Sequence, residues 1–272
     1  MTPPTGAHGE HHAPAQPKPL ACAETWAGNK QTSGLVALPG LTAWVHSSPA
    51  GQGGAGGDVH YVSVCPSCTV SRIALADVSG HGQAVAMLAE MLRELMQRHL
   101  RALEQVALMR DLNRALRTEM GDGHYATMVA LGWHRHHARL VLTNAGHPPP
   151  LLYRASRNEW SWLVDPDGGT NDRPVGVPLG LLPDTVYARM VVTPQPGDVV
   201  LLYSDGVSDA TSASGRELGR DGLMEMVHAL DCHSAQVAGS QLAAALQAFR
   251  CGSARTDDET IIVIRVDDVR AP

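Results

Sequence analysis

The stretch Val199-Val-Leu-Leu-Tyr203-Ser-Asp205-Gly206 decides the fold. Five consecutive apolar residues fit a strand covered on both faces, and an aspartate followed by glycine marks its end. A strand covered on both faces needs a layer on each side. Downstream, helical spacing predicts helices over about 221–230 and 234–249. The second carries Ser234 as a candidate N-cap and Ala238, Leu242, Ala245, Leu246 and Phe249 as a buried stripe. Thr260–Val266 reads as a closing strand. Upstream, strands are predicted at Leu41–Ser47, Asp58–Val64, Val70–Ala76, Tyr125–Trp133, Arg139–Thr143 and Val186–Val192. Two helices interrupt them. One runs from Ala84 to Leu100, with Leu88, Met91, Leu92 and Leu95 on one face. The other covers about Glu104–Glu119, with Leu108, Met109, Leu112 and Leu116. This order does not alternate as a doubly wound sheet would. It predicts an α+β fold, two mostly antiparallel sheets stacked together with helix pairs outside.

Composition narrows the function classes. The chain has 272 residues, 44% hydrophobic and 18% charged, enough apolar material for a sizeable core. Lys and Arg total 21 against 27 Asp and Glu, a net charge of −6, which argues against a nucleic-acid partner. No run approaches the ~20 apolar residues of a membrane span, and the Pro-, His- and Ala-rich start lacks the pattern of a secretory signal. A cytoplasmic protein without a membrane partner is expected. Residues 1–22 read as a disordered arm and 23–268 as one domain. Gly51–Gly57, with five glycines in seven positions, and Asp165–Pro178 read as loops. Five scattered cysteines do not suggest a disulfide framework, and Cys22, Cys232 and Cys251 stand alone. Cys65-Pro-Ser-Cys68 has the spacing of half a zinc site, but no second pair completes it, so it reads as a turn between strands.

Four acidic sites share a local design. Asp58 follows Gly56-Gly57. Asp77 ends a strand and enters Val78-Ser-Gly-His-Gly82. Asp205 ends the apolar strand before Gly206. Asp257-Asp258 precede the last strand. A rigid sheet holds an aspartate at its strand end, and glycine lets backbone approach closely. Any one alone reads as a turn cap, and four in the same setting weaken that reading. If gathered, such carboxylates repel unless a cation sits among them, and hard divalent cations favour oxygen donors.

The segments Gly56-Gly-Asp58, Asp77-Val-Ser-Gly-His-Gly82, Asn144-Ala-Gly-His-Pro148, Tyr203-Ser-Asp-Gly-Val207 and Asp257-Asp-Glu-Thr260 stand in the order found in SpoIIE-type phosphatases. That group is the bacterial branch of the metal-dependent protein phosphatase 2C (PPM) superfamily, and the chain resembles it from about Trp26 to Val266. The resemblance implies a four-layer α/β/β/α sandwich and a protein-serine/threonine phosphatase. It also implies two divalent cations, Mn or Mg, at one edge of the sheets. It places Asp58, Asp77, the Val78 carbonyl, Asp205 and Asp257 as ligands, with Asp77 between the two ions. Asp258 and Asp209 are further candidates, and His81 is a candidate general acid. The implied substrate is a phosphoprotein in a signalling or partner-switching pathway, such as an anti-sigma-factor antagonist.

The pattern departs in places. Tyr61 stands where many relatives have a second acid three residues after the Gly-Gly-Asp aspartate. No arginine precedes Asp58 to hold phosphate, which leaves Lys30 or the ions alone. His147 replaces the aspartate of a third metal site. Tyr61 and the missing arginine motivate a rival reading, a phosphoprotein-binding module of weak catalysis. A hydrolase of small phosphoesters is a third.

Overall fold

The computed structural model describes residues 16–50, 54–80, 83–99, 104–120, 123–164 and 176–268. Its first strands are β1 (Lys18–Pro19), β2 (Thr25–Lys30), β3 (Thr32–Leu38), β4 (Leu41–Ser48), β5 (Ala55–Val64) and β6 (Val70–Val78). Helices α1 (Gln83–Arg98) and α2 (Gln105–Met120) follow, then β7 (Ala126–His134), β8 (Arg139–Ala145), β9 (Leu151–Arg154), β10 (Glu159–Trp162), β11 (Met190–Val192) and β12 (Val199–Tyr203). The chain then forms α3 (Asp205–Ser208), α4 (Gly219–His228), α5 (Ala235–Arg250) and β13 (Glu259–Val266). One sheet has the order β1-β3-β4-β13-β12-β9-β10 and the other β11-β8-β7-β6-β5-β2. All pairings are antiparallel except β1 on β3. This is the α+β sandwich expected.

Three apolar clusters make the layers. Val45, Val62, Ile73, Leu131, Trp133, Leu202 and Ile262 meet between the sheets. Val59, Tyr61, Ala74 and Met128 turn the other way, against Leu92, Leu95, Leu112 and Leu116 of α1 and α2. Trp44, Leu201, Tyr203 and Val263 face Leu223, Val227, Leu242 and Leu246 of α4 and α5. All five residues of β12 are buried, which bears out the apolar run. Ser234 caps α5, its side chain accepting the Val237 N–H. At Gly239 an added Cβ would lie 2.1 Å from the Trp44 ring, so only glycine lets this helix settle on the sheet.

Several expectations need correction. Ala55–Gly57 belong to β5 rather than to a loop, and the expected strand over 186–192 shrinks to β11. Residues 16–22 of the expected arm are ordered: β1 pairs with β3, and Leu20 is buried between the sheets. Residues 1–15 and 165–175 lie outside the described residues. Cys22 is not alone, since it forms a disulfide with Cys68, Cα to Cα 5.1 Å. The Cys65–Cys68 turn stands as read, with Cys68 N–H donating to the Cys65 carbonyl.

Candidate metal centre

Asp58 and Asp77 face each other directly in the β5–β6 register. Asp58 lies on the inner face of its strand, so it meets the second sheet, where Ser204 and Thr260 side chains hydrogen-bond to it. One of its oxygens, Oδ2, is buried without a partner. Asp205 arrives from that second sheet as the first residue of α3, directly after β12 and Ser204. Its carbonyl accepts the Asp209 N–H at 2.7 Å, which holds Asp209 beside it on the exposed side. Asp257 precedes β13, the neighbour of β12.

Glycine serves here to bring the acid-bearing segments together. A Cβ on Gly57 would stand 3.1 Å from the Val78 carbonyl oxygen and 3.2 Å from Asp77 Oδ1, so both donors converge on its bare Cα. A Cβ on Gly206 would lie 2.1 Å from the Asp258 carbonyl and 3.3 Å from Asp257 Cβ. The Gly206 approach is what lets α3 lie against the Asp257-Asp258 pair.

The two neighbours Asp257 and Asp258 do different work. Asp258 Oδ1 accepts the Ala50 N–H at 2.7 Å and Oδ2 the Gly57 N–H at 2.5 Å. Both its oxygens are spent on tying the β4–β5 connection to the start of β13. Asp257 accepts only the N–H of Asp258, through Oδ1. It is exposed and acts electrostatically on both Asp77 and Asp205.

The charges here are in conflict. Burial pushes the Asp77 carboxyl up to about 7, and Asp205, Asp257 and Asp258 push the same way. Burial, then Asp77, holds Asp58 well above the usual range despite its two hydroxyl partners. Burial, then Asp257 and Asp209, raises Asp205. No basic side chain is among the groups that shift these three. Among the described residues no three His, Cys, Asp or Glu side chains stand close enough together to hold a metal ion as they are placed. The donors are gathered at one edge but not closed. Hard oxygen donors, an orphaned carboxylate oxygen and a cradle of bare glycine fit a divalent cation.

The other candidates sort themselves by position. His81 lies outside the described residues. His147 is fully buried, with Nδ1 2.8 Å from Thr127 Oγ1 on β7, and burial lowers it to about 3. It is a neutral strut at physiological pH, its loop closed by Asn144, which accepts the His147 N–H and donates to its carbonyl. Tyr61 points into the α1–α2 layer, away from the acids. Lys30 is exposed and lies by Glu90. Ser204 and Thr260 escaped the sequence reading, although both sit inside the quoted segments.

Comparison with known proteins follows the same lines. The family model described as Stage II sporulation protein E (SpoIIE) matches residues 69–267. The chain belongs to the SpoIIE family. Over 148 residues this family member is 30% identical to phosphoserine phosphatase RsbP of Bacillus subtilis, covering 52% of this chain and 34% of that protein. It is 25% identical over 199 residues to phosphoserine phosphatase RsbU of the same organism, covering 71% and 55%. The SpoIIE-family chain thus spans between a third and just over half of these relatives' lengths. Its fold matches the solved RsbU and RsbW domains of Rv1364c from Mycobacterium tuberculosis with TM-score 0.72. There it is 22% identical and covers 88% of this chain and 63% of that one.

Proposed function

We propose that this chain is a metal-dependent protein-serine/threonine phosphatase acting on a phosphoprotein of a partner-switching pathway. One observation carries this reading: four carboxylates from two sheets meet at one edge, three of them, Asp58, Asp77 and Asp205, raised in pKa by burial and then by neighbouring carboxylates, with no basic side chain among the groups that shift these three. Such an edge is stable when cations neutralise it. Asp58, Asp77, Asp205, Asp257 and the Val78 carbonyl would hold two divalent ions, Mn or Mg, with Asp77 positioned to serve both. Asp209 stands behind Asp205 as an outer carboxylate. When bound, divalent ions acidify water and neutralise phosphoryl oxygens.

The chain's own groups do the positioning. Asp58 and Asp77 are fixed by strand register, so their separation does not depend on a loop. Asp258 uses both oxygens on backbone N–H groups and therefore positions the edge rather than binding at it. In the reaction, a water oxygen bonds to phosphorus, the bond from phosphorus to the serine oxygen breaks, and that oxygen takes a proton. Inorganic phosphate and free serine result. Kinship to RsbU and RsbP supports the phosphoserine substrate. The weak-binding rival rests on Tyr61 and the missing arginine, and Tyr61 lies in the helix layer, so an acid there would not face the ions.

Hydrolysis of para-nitrophenyl phosphate with manganese, magnesium or chelator tests the reading. Turnover is expected with either metal, none with chelator and none in Asp205→Asn. Retained turnover in a folded Asp205→Asn protein overturns it.

A further inference from the structure

A groove of about 750 Å³ runs along the outside of the seven-stranded sheet, beneath α5. Its floor is the outward face of β4, where Trp44, His46 and Ser48 follow one another at strand spacing. One wall is α5, with Ser240, Ala244 and Gln247. The far end is the loop from Gly252 to Arg255, which leads straight into Asp257.

The position of this groove relative to the acidic edge is fixed by register. Ser48 lies opposite Glu259 across β4 and β13. Two residues past Ser48, the Ala50 N–H is held by Asp258. The groove therefore ends within one or two residues of the carboxylates along the chain.

Its charge is opposite to that of the edge. Arg250 is buried and paired with Glu259, so together they are neutral. Arg255 is exposed and bonds to the neutral Ser48 hydroxyl, and among the described residues it has no carboxylate partner. Its charge acts into the groove, where after burial it is the second cause lowering the His46 pKa. His46 stacks flat on Trp44, ring centroids 5.5 Å apart, giving a stiff floor. An acidic chain thus places a cationic groove next to the site where a phosphoryl group would react.

We infer that this groove binds an acidic segment of the protein substrate flanking the phosphorylated residue, with Arg255 as its chief contact. The inference rests on the phosphatase reading for the word substrate, but the binding itself does not. A carboxylate placed against the Arg255 guanidinium gains a charge-assisted hydrogen bond, and salt weakens the attraction. The substrate is then selected by residues that the metal site never touches.

The test uses two fluorescent decapeptides around one serine, one rich in Glu and the other with Gln at the same positions. Both are made with and without phosphate. The unphosphorylated Glu peptide is expected to bind about tenfold tighter than the Gln peptide at low salt, an advantage that shrinks with added salt. Arg255→Glu should erase that ratio, and Gln247→Glu on the opposite wall should reduce it about threefold. In phosphate release, the ratio of kcat/KM for the two phosphopeptides should follow the binding ratio. Equal binding of the two peptides by the wild type overturns the inference, as does a ratio that survives Arg255→Glu. Absence of phosphate release from every substrate with every metal instead overturns the phosphatase reading, and leaves the binding ratio to decide the groove.

Discussion

The two ends of the β5–β6 hairpin are built on opposite principles. At the turn end, polar groups find complementary partners. The Cys65 N–H meets the Val70 carbonyl, and Cys68 is joined covalently to Cys22. Burial pushes the Cys65 thiol up, but hydrogen bonds from Ser67, Thr69 and the Val70 N–H pull it further down, to about 7. At the other end, Asp58 and Asp77 face each other; burial and then Asp77 raise the Asp58 pKa, and burial and then Asp205, Asp257 and Asp258 raise that of Asp77. One end closes the fold by itself. The other is left unbalanced so that something from outside can balance it. A rigid hairpin makes this tolerable, because the satisfied end and the paired strands hold the unsatisfied one in place.

The largest way to break this contrast is to neutralise the strained end. Asp77→Asn should lower metal-dependent kcat/KM about a thousandfold or more while the far-UV circular dichroism stays that of the wild type. Next comes the satisfied end. Cys22→Ser removes a link across 46 residues and should lower unfolding free energy by about 2–4 kcal/mol in denaturant titration, with para-nitrophenyl phosphate turnover unchanged. A stability loss confined to one end and an activity loss confined to the other would sharpen the comparison. Gly57→Ala tests the cradle itself. Its added methyl would crowd Val78 O and Asp77 Oδ1, and the manganese concentration for half-maximal activity should rise about 10- to 100-fold.

The smallest effect concerns protons. Folding raises the Asp77 pKa from 3.8 to about 7, so the folded state binds more protons between those values. Without metal, this carboxyl destabilises the fold fully above pH 7, and the penalty disappears as pH falls toward 4. His60 and His147, lowered to about 4 and about 3, act in the reverse sense below about pH 6.5. Comparing metal-free wild type with metal-free Asp77→Asn isolates the carboxyl. The variant should be the more stable by about 1–2 kcal/mol at pH 8, with the gap closing near pH 4. Saturating manganese should reverse the order at pH 8, because only the wild type keeps its full ligand set.

The strands and helices that were legible in the sequence are those with one strong signal each. The β12 run, the α1 and α2 stripes and the Ser234 cap could be read because burial imposes periodicity. β2 was not, because Thr25-Trp-Ala-Gly-Asn-Lys30 is a half-buried edge strand without alternation. The β9–β10 hairpin is similar, its strands only four residues long around a turn with Asn158 at φ 51°. The Cys22–Cys68 bond joins residues 46 apart, and no spacing rule reveals such a partner. In the site, the aspartates were legible as strand ends beside glycine. The different work of Asp257 and Asp258 was not, because it depends on which backbone N–H groups the second sheet presents. Tyr61 was legible in principle: three residues from Asp58 along a strand means the opposite face.

The acidic edge takes Asp58 and Asp77 from one sheet, and Asp205 and Asp257 from the other, with the last of these just ahead of the final strand. A chain leaving the ribosome completes the β5–β6 hairpin early, but it lacks half the donors until β12 and the start of β13 have been made. No nascent fragment carries the whole set. The four carboxylates therefore come together only when β13 can pair with β4 and β12, and a chain truncated before residue 257 would be born without the full set.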